Sequence, residues 1–286
     1  MRKKFPLLPR RKNTDKSCYG HTLILAGSGN MTGAAVLASH AALVSGSGLV
    51  TLGAPKTILK KLSGLPPEVM KLGLFETAES TLSRRSYPEI IRFIKQRGIS
   101  CAAIGPGLSQ NKQTQALVRR LVGHLPVPVV LDADGLNSFK AHLNELSKHS
   151  GALVLTPHRR EFERLFRQTW PPGAPARAAL AKKLSRFYDV VLVLKGHRTL
   201  VVDHEKAYEN ATGNPGMAKG GTGDVLTGII ASFISQGLRP FEAARWAVYF
   251  HGKAGDRAVK AKSELGLLAS DLIEYLPKVF KRVLLA

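Results

Sequence analysis

Residues 214–237 read NPGMAKGGTGDVLTGIIASFISQG. Five glycines fall between Asn214 and Gly228, one carboxylate, Asp224, stands at the join, and an apolar segment with helical spacing follows. At the start of a helix, Gly220, Gly221, Thr222 and Gly223 offer consecutive backbone N–H groups, and the helix dipole there also favours negative charge. Such a loop is an anion hole for a phosphoryl group. An acid in the first turn stabilises a helix by itself. Beside an anion hole it also has the chemistry of a general base, taking a proton from a hydroxyl as phosphate arrives. The combination points to glycines that hold a transferring phosphoryl group and to Asp224 as the residue that activates the receiving oxygen.

Further reactive side chains stand at the ends of apolar runs. VLDADGLN (130–137) places Asp132 and Asp134 behind a strand. If the strand continues, both carboxylates point to one side and can position magnesium through water or a polar substrate, with Asn137 bonding the same group. The alternative is that Asp134 caps a helix over GLNSFKAHL. LTPHRREF puts His158 after a strand and a proline, either as a local hydrogen-bonder or as a ligand contact. LKGHRT (194–199) is a strand end and turn whose Lys195 either meets a phosphate or is solvated. His251, in a C-terminal helix, reads as structural. GSGNMTG (27–33) is spaced one residue too long for the dinucleotide fingerprint and has no acid at a second strand end. It reads as a tight strand-to-helix turn in which Gly33 and Ala34 let a backbone approach a bound group. The chain contains no G-x-x-x-x-G-K-[ST] sequence and so is not a P-loop protein.

These residues need a scaffold. HTLILA, GLVTLGA, CAAIG, VPVVLDAD, GALVLTPH and VVLVLKG read as strands, with TLVVD and KAYEN as a small hairpin. Helical spacing appears in GAAVLASHAALVSG, in KQTQALVRRLVGHL (Leu117, Leu121 and Leu125 on one face), from EFERLF onward, in ARAALAKKLSRFY, and in two or three segments after the glycine loop. Strands alternating with helices imply an α/β fold with a mostly parallel central sheet and helices on both faces. No linker, low-complexity tract or repeat divides the chain, so residues 1–286 are expected to form one domain. Open parallel sheets bind ligands outside the C-terminal ends of their strands, and AGSGNMTGA, IGPGL, LDADGLN, LTPH and VLKGHRT would converge there with the glycine loop.

The chain carries 42 Lys and Arg against 20 Asp and Glu, a net charge of +22. Such a surface attracts polyanions, but the basic residues are dispersed and no zinc-finger or RNP-type motif accompanies them. Anionic nucleotide substrates are the preferred reading over nucleic-acid binding. Cys18 and Cys101 form neither a disulfide framework nor a metal motif, which fits a reducing, cytoplasmic compartment. No apolar run approaches the roughly 20 residues needed to span a bilayer.

Taken together, YGHTLILAGSGNMTGAAVLASHAALVSGSGLVTL, IGPGL, VLDADGLN, LTPHRREFERL, LKGHRTLVVD and the glycine loop resemble, in this order, the ADP/ATP-dependent NAD(P)H-hydrate dehydratase family of the ribokinase-like superfamily. The resemblance covers nearly the whole chain and implies a ribokinase-like three-layer sandwich. It implies a lyase that repairs the S epimer of hydrated NADH or NADPH (NADHX, NADPHX). The ring hydroxyl is phosphorylated by ADP or ATP, with Mg2+ on the nucleotide phosphates, and loss of phosphate restores the reduced nicotinamide.

Carried over by motif, Ala34, Gly107, His158 and Asp224 contact the hydrate. Lys195, Gly196, His197, Arg198, Thr199 and Gly223 contact the nucleotide, Asp224 is the base, and Asn214 joins Gly220–Gly223 around the anion hole. Met31 stands where the family often has an aromatic residue. The chain is expected to lack the N-terminal epimerase domain of some members, so that a separate epimerase works in the same pathway, and to form a homo-oligomer, a tetramer. The rival enzyme class is a superfamily kinase that keeps its phosphorylated product, for example on a vitamin-precursor alcohol.

Overall fold

The computed structural model describes residues 5–7, 10 and 12–284. In chain order the elements are β1 (His21–Leu25), α1 (Thr32–Val44), β2 (Leu49–Pro55), α2 (Lys56–Lys61), β3 (Met70–Leu74), α3 (Tyr87–Arg97), β4 (Cys101–Ile104), α4 (Lys112–His124), β5 (Val129–Leu131) and α5 (Asp134–Asn137). They continue with β6 (Leu153–Leu155), α6 (Arg159–Phe166), α7 (Ala174–Tyr188), β7 (Val190–Leu194), β8 (Leu200–Val202), β9 (Ala207–Glu209), α8 (Thr222–Ser235), α9 (Pro240–Gly266) and α10 (Ala269–Leu284).

The strands form one sheet in the order β3-β2-β1-β4-β5-β6-β7-β8-β9. Pairing is parallel from β3 to β7, and the β8 and β9 pairings are antiparallel. The near-continuous apolar strands follow from burial on both faces. Successive side chains point to opposite sides: Leu23, Leu25, Val129 and Leu131 enter the core shared with α3, α4, α6 and α7, whereas Ile24 and Val130 enter the core shared with α1, α8, α9 and α10. The result is the expected three-layer sandwich.

Two details position the rim. α8 lies directly against α1, because a side chain on Gly228 would stand 2.2 Å from the Ala38 carbonyl oxygen and 3.0 Å from the Ala41 Cβ. The chain also runs outward in opposite directions from β1 and β4, making a switch point in the strand order at which open sheets leave a crevice. The loops flanking this crevice are joined by a hydrogen bond from Gly27 N–H to the Pro106 carbonyl, 2.9 Å.

The interval 56–100, to which no element is assigned from the sequence, contains α2, β3 and α3. The helix foreseen over GLNSFKAHL is only the single turn Asp134–Asn137.

Candidate active site

The crevice begins where α1 starts. Gly107 has φ 62°, and a Cβ there would lie 2.7 Å from the Met31 carbonyl oxygen and 3.0 Å from the Ala34 Cβ. Ala34 and Gly107, distant in sequence, therefore touch. A backbone with positive φ pressed against a neighbouring loop leaves room for glycine alone.

β5 stops at Leu131, and Ala133 turns the chain with φ 48°, so Asp132 and Asp134 do not extend a strand and do not share partners. Asp132 is 1% exposed and accepts hydrogen bonds from Lys195 Nζ at 2.6 Å and from Thr227 Oγ1 at 2.8 Å. Asp134 accepts from the Ser109 N–H at 2.9 Å and from Asn137 Nδ2 at 3.1 Å. It makes no side-chain cap for α5, whose cap position is Ala133. Asn137 in turn accepts from Arg164 Nη1 at 3.1 Å, tying α5 to α6.

His158 ends the loop after β6 as the N-cap of α6. Its Nδ1 accepts the Glu161 N–H at 3.3 Å, while the Glu161 carboxylate accepts the His158 N–H at 2.9 Å. This reciprocal capping box leaves the other ring nitrogen, Nε2, 3.5 Å from Glu161 Oε1. The ring is half exposed and borders an open groove of about 770 Å³ with Arg159, Arg160, Glu163 and Lys195. Glu161 was overlooked in the sequence, although H-x-x-E before an apolar run carries the capping-box spacing.

Lys195 joins the two sides of the rim. Its backbone pairs with His158 at the end of β7, its ammonium lies 3.8 Å from Glu161 Oε2, and a Cβ on Gly223 would meet that ammonium at 3.3 Å. Burial opposes the charged form of Lys195, but the carboxylates of Asp132 and Glu161 outweigh it and hold the pKa above the ordinary lysine value. The turn that follows is shaped by Thr199, whose Oγ1 donates to the Gly196 carbonyl at 3.0 Å. His197 is exposed, and Arg198 pairs with Glu209 at 2.6 Å. Arg159, Trp170 and Arg177 join this turn around a second cavity of about 300 Å³.

α8 begins as the glycine pattern foretold. Gly221 is its cap residue with φ 90°, Thr222 starts the helix, and Thr222 Oγ1 donates to the Lys219 carbonyl at 2.9 Å. The first-turn N–H groups therefore open toward the rim. Asp224 is half-buried, and among the described residues its carboxylate has no hydrogen-bond or ion-pair partner. Burial, with the negative charge of Asp132, pushes its pKa up to about 7 against the opposing pull of Lys195, and Glu161 and Asp134 add to the rise.

His251, read as structural, supports this turn from α9. Its Nε2–H donates to the Thr222 carbonyl at 2.9 Å, and burial holds its pKa down at about 4. Asn214 faces elsewhere: its Oδ1 accepts the Gly216 N–H at 3.1 Å, and its Nδ2 donates to Asp256 at 3.4 Å.

Among the described residues, no group of three or more His, Cys, Asp or Glu side chains gathers as a metal site. No helix among them is long and apolar enough to cross a membrane.

A mostly parallel sheet with a glycine-capped helix and a lone acid at its carboxyl rim defines a ribokinase-like α/β protein. A family model described as NAD(P)H-hydrate dehydratase matches residues 22–278, and the chain belongs to that family. An ADP-dependent (S)-NAD(P)H-hydrate dehydratase from Neisseria meningitidis is 35% identical over 271 residues, 92% of this chain and 86% of that protein. A bifunctional NAD(P)H-hydrate repair enzyme from Moorella thermoacetica is 41% identical over 278 residues, 96% of this chain and 52% of that protein. The chain thus spans about half the length of such bifunctional relatives. The crystal structure of the Bacillus subtilis ADP/ATP-dependent NAD(P)H-hydrate dehydratase, co-crystallised with ATP/Mg2+, superposes with a TM-score of 0.79 and 31% identity, covering 96% of this chain and 94% of that one.

Proposed function

We propose that this chain is an ADP- or ATP-dependent dehydratase of hydrated NADH and NADPH, with residues 22–278 acting as one dehydratase unit. The observation that carries the reading is the Asp224 carboxylate, unpartnered in the first turn of α8 with a pKa of about 7. A base titrating near the working pH both holds and accepts a proton effectively.

The ring hydroxyl of the hydrate gives its proton to Asp224 while its oxygen attacks the terminal phosphoryl group, breaking the bond to the leaving nucleotide. The first-turn N–H groups at Thr222 and Gly223 face the transferring group, and Lys195 meets its negative charge. In the second stage the C–O bond to phosphate breaks, an adjacent ring carbon loses a proton, and the ring double bond is restored. Hydroxide is a poor leaving group and phosphate a good one, so the first stage makes the second possible.

Ala34, Gly107 and His158 line the hydrate side of the crevice in this reading, and Lys195–Thr199 with Gly223 line the nucleotide side. Asp132 acts by holding Lys195 in place, and Asn214 by shaping the loop rather than by touching the anion. Magnesium fits the donor set: Mg2+ keeps several waters and takes few protein carboxylates beside substrate phosphates. Asp134, half-buried behind β5, is the carboxylate that would hold it through water, leaving Asp224 to take the proton, and the ion would neutralise nucleotide phosphate charge. The Bacillus subtilis structure, co-crystallised with ATP/Mg2+, supports a magnesium nucleotide as co-substrate. A homotetramer and a cytoplasmic setting belong to the same reading, through the family resemblance.

The test is direct. Purified protein is mixed with the S epimer of hydrated NADH, magnesium and either ADP or ATP, and the near-ultraviolet absorbance of reduced nicotinamide is followed. A nucleotide-dependent rise with release of phosphate supports the dehydratase. A phosphorylated product that accumulates without that rise identifies a kinase instead.

A further inference from the structure

The cavity beside the Lys195 turn brings two residues from outside the family motifs, Trp170 and Arg177, against residues within them. Arg159 comes from the start of α6, Trp170 from the loop before α7, and Arg177 from α7. They close around Lys195, His197 and Arg198, giving a space of about 300 Å³ with no acidic residue in its lining. Four fixed positive charges and a histidine thus surround one pocket. Lys195 is already held by Asp132 at 2.6 Å, but Glu163 and Glu209 take only Arg159 Nε at 3.0 Å and Arg198 Nε at 2.6 Å, which leaves the terminal nitrogens of both guanidinium groups free of those bonds.

Arg177 is the distinctive member. Its guanidinium lies over the Trp170 ring, 5.5 Å from the centroid, and Trp170 is itself held edge-on by Phe162 at 5.3 Å. Arg177 Nε is buried and has no hydrogen-bond partner among the described residues. Buried donors are rarely left unpaired, and such a group costs free energy unless something binds it. An arginine stacked on an aromatic plane, with a donor unspent and no carboxylate beside it, is suited to a phosphate oxygen.

We propose that this pocket is a second anion subsite that binds a non-transferred phosphate of the donor nucleotide, with Arg177 as its principal ligand and Arg159 at its rim. The assignment rests on the reading that the Lys195–Thr199 turn receives the donor. Lys195 borders both the pocket and Gly223, so a polyphosphate reaching from the glycine loop across the Lys195 turn places its next phosphate here.

The experiment is calorimetric titration of the full chain and of Arg177→Gln with Mg-ADP, NADH and NADPH. The expected result is at least a tenfold loss of ADP affinity in Arg177→Gln, with NADH and NADPH unchanged; one charged hydrogen bond accounts for such a loss. Arg159→Gln, on the exposed rim, weakens ADP in the same direction and serves if Arg177→Gln does not fold. Unchanged ADP affinity in the folded variants overturns the subsite while leaving the nucleotide reading intact. Loss confined to NADPH transfers the pocket to the dinucleotide 2′-phosphate and overturns the donor assignment. Failure of the wild-type chain to bind ADP overturns both this inference and the reading on which it rests.

Discussion

Lys195 Nζ stands 2.6 Å from Asp132 Oδ1, joining the end of β7 to the end of β5 across the intervening β6. Asp132 is nearly inaccessible, and the Lys195 side chain is 17% exposed. The pair is therefore a buried tie within the rim, and Thr227 fixes the second carboxylate oxygen from α8. Removing one partner strands the other. We expect Asp132→Ala to lose about 3–5 kcal/mol of stability in urea unfolding, with Asp132→Asn losing less because it retains an oxygen acceptor. A loss below about 0.5 kcal/mol in Asp132→Ala would show that solvent reaches Lys195 freely.

Asp224 predicts the pH profile. The free carboxyl has a pKa of about 7 and must be ionised to accept a proton. The logarithm of kcat/KM should rise with unit slope below about pH 7 and level off above it. Asp224→Asn should lower turnover by a factor of about 10²–10⁴ and abolish the acid limb. An unchanged limb in this variant would assign it to another group.

The same shift has a stability consequence of definite sign. The Asp224 pKa is raised on folding, from 3.8 to about 7. The folded protein thus holds this proton where the unfolded chain has lost it, and stability contributed by the group is full below about pH 4 and falls as pH rises through about 7. Asp224→Asn removes that penalty. Its melting temperature should exceed that of the wild type at pH 8, by a few degrees or about 2–4 °C for each kcal/mol recovered, and the advantage should vanish near pH 4. A variant less stable at pH 8 would mean that the carboxylate is held by favourable contacts instead.

His251 makes the opposite prediction. Its pKa falls from 6.5 to about 4 because burial disfavours the imidazolium, with the Thr222 carbonyl opposing and Lys195 reinforcing the shift. Stability from the neutral ring is present above about pH 6.5 and is lost as pH falls through about 4. His251→Gln, which retains a donor for Thr222, should flatten the decline of the urea midpoint between pH 6.5 and 4 by the equivalent of one proton. Parallel curves would show that the ring charges without cost.

Gly107 tests the hydrate side of the crevice. In Gly107→Ala the new methyl meets the Met31 carbonyl at 2.7 Å in a backbone with φ 62°. The strain costs about 1–2 kcal/mol, and displacement of Met31 and Ala34 should raise the KM for the hydrate by about tenfold or more, with the ADP affinity unchanged. A normal KM would separate this loop from the hydrate.

The sequence exposed the rim better than the geometry within it. Apolar runs ending in GSG, GPG, DAD, TPH and KGH located the ligand edge of the sheet, because parallel strands buried on both faces leave little else to read. The glycine loop announced the start of α8 for the same local reason. Long-range pairing was hidden. Nothing in VLDADGLN shows that Ala133 turns the chain, so Asp132 and Asp134 were read as neighbours on one face. Thr227 and Glu161 look like ordinary helix residues until the fold carries them to Asp132, Lys195 and His158. β3 escaped because Met70–Leu74 is a partly exposed edge strand with a lysine in it, and edge strands do not show the continuous apolar run of central ones.

The close approach of α8 to α1 at Gly228 has a mechanical meaning. α1 starts beside Ala34 and α8 starts beside Asp224, so the hydrate wall and the base of the proposed reaction would be mounted on one welded pair of helices. Their separation is set by backbone contact rather than by adjustable side chains. On the proposed function, adjustment to a large dinucleotide would therefore fall to the other bank of the crevice, the His158 and Lys195 turns with α6 and α7. Hydrogen exchange should follow that division, with slow exchange along the α1–α8 seam and ligand-dependent protection on the opposite bank.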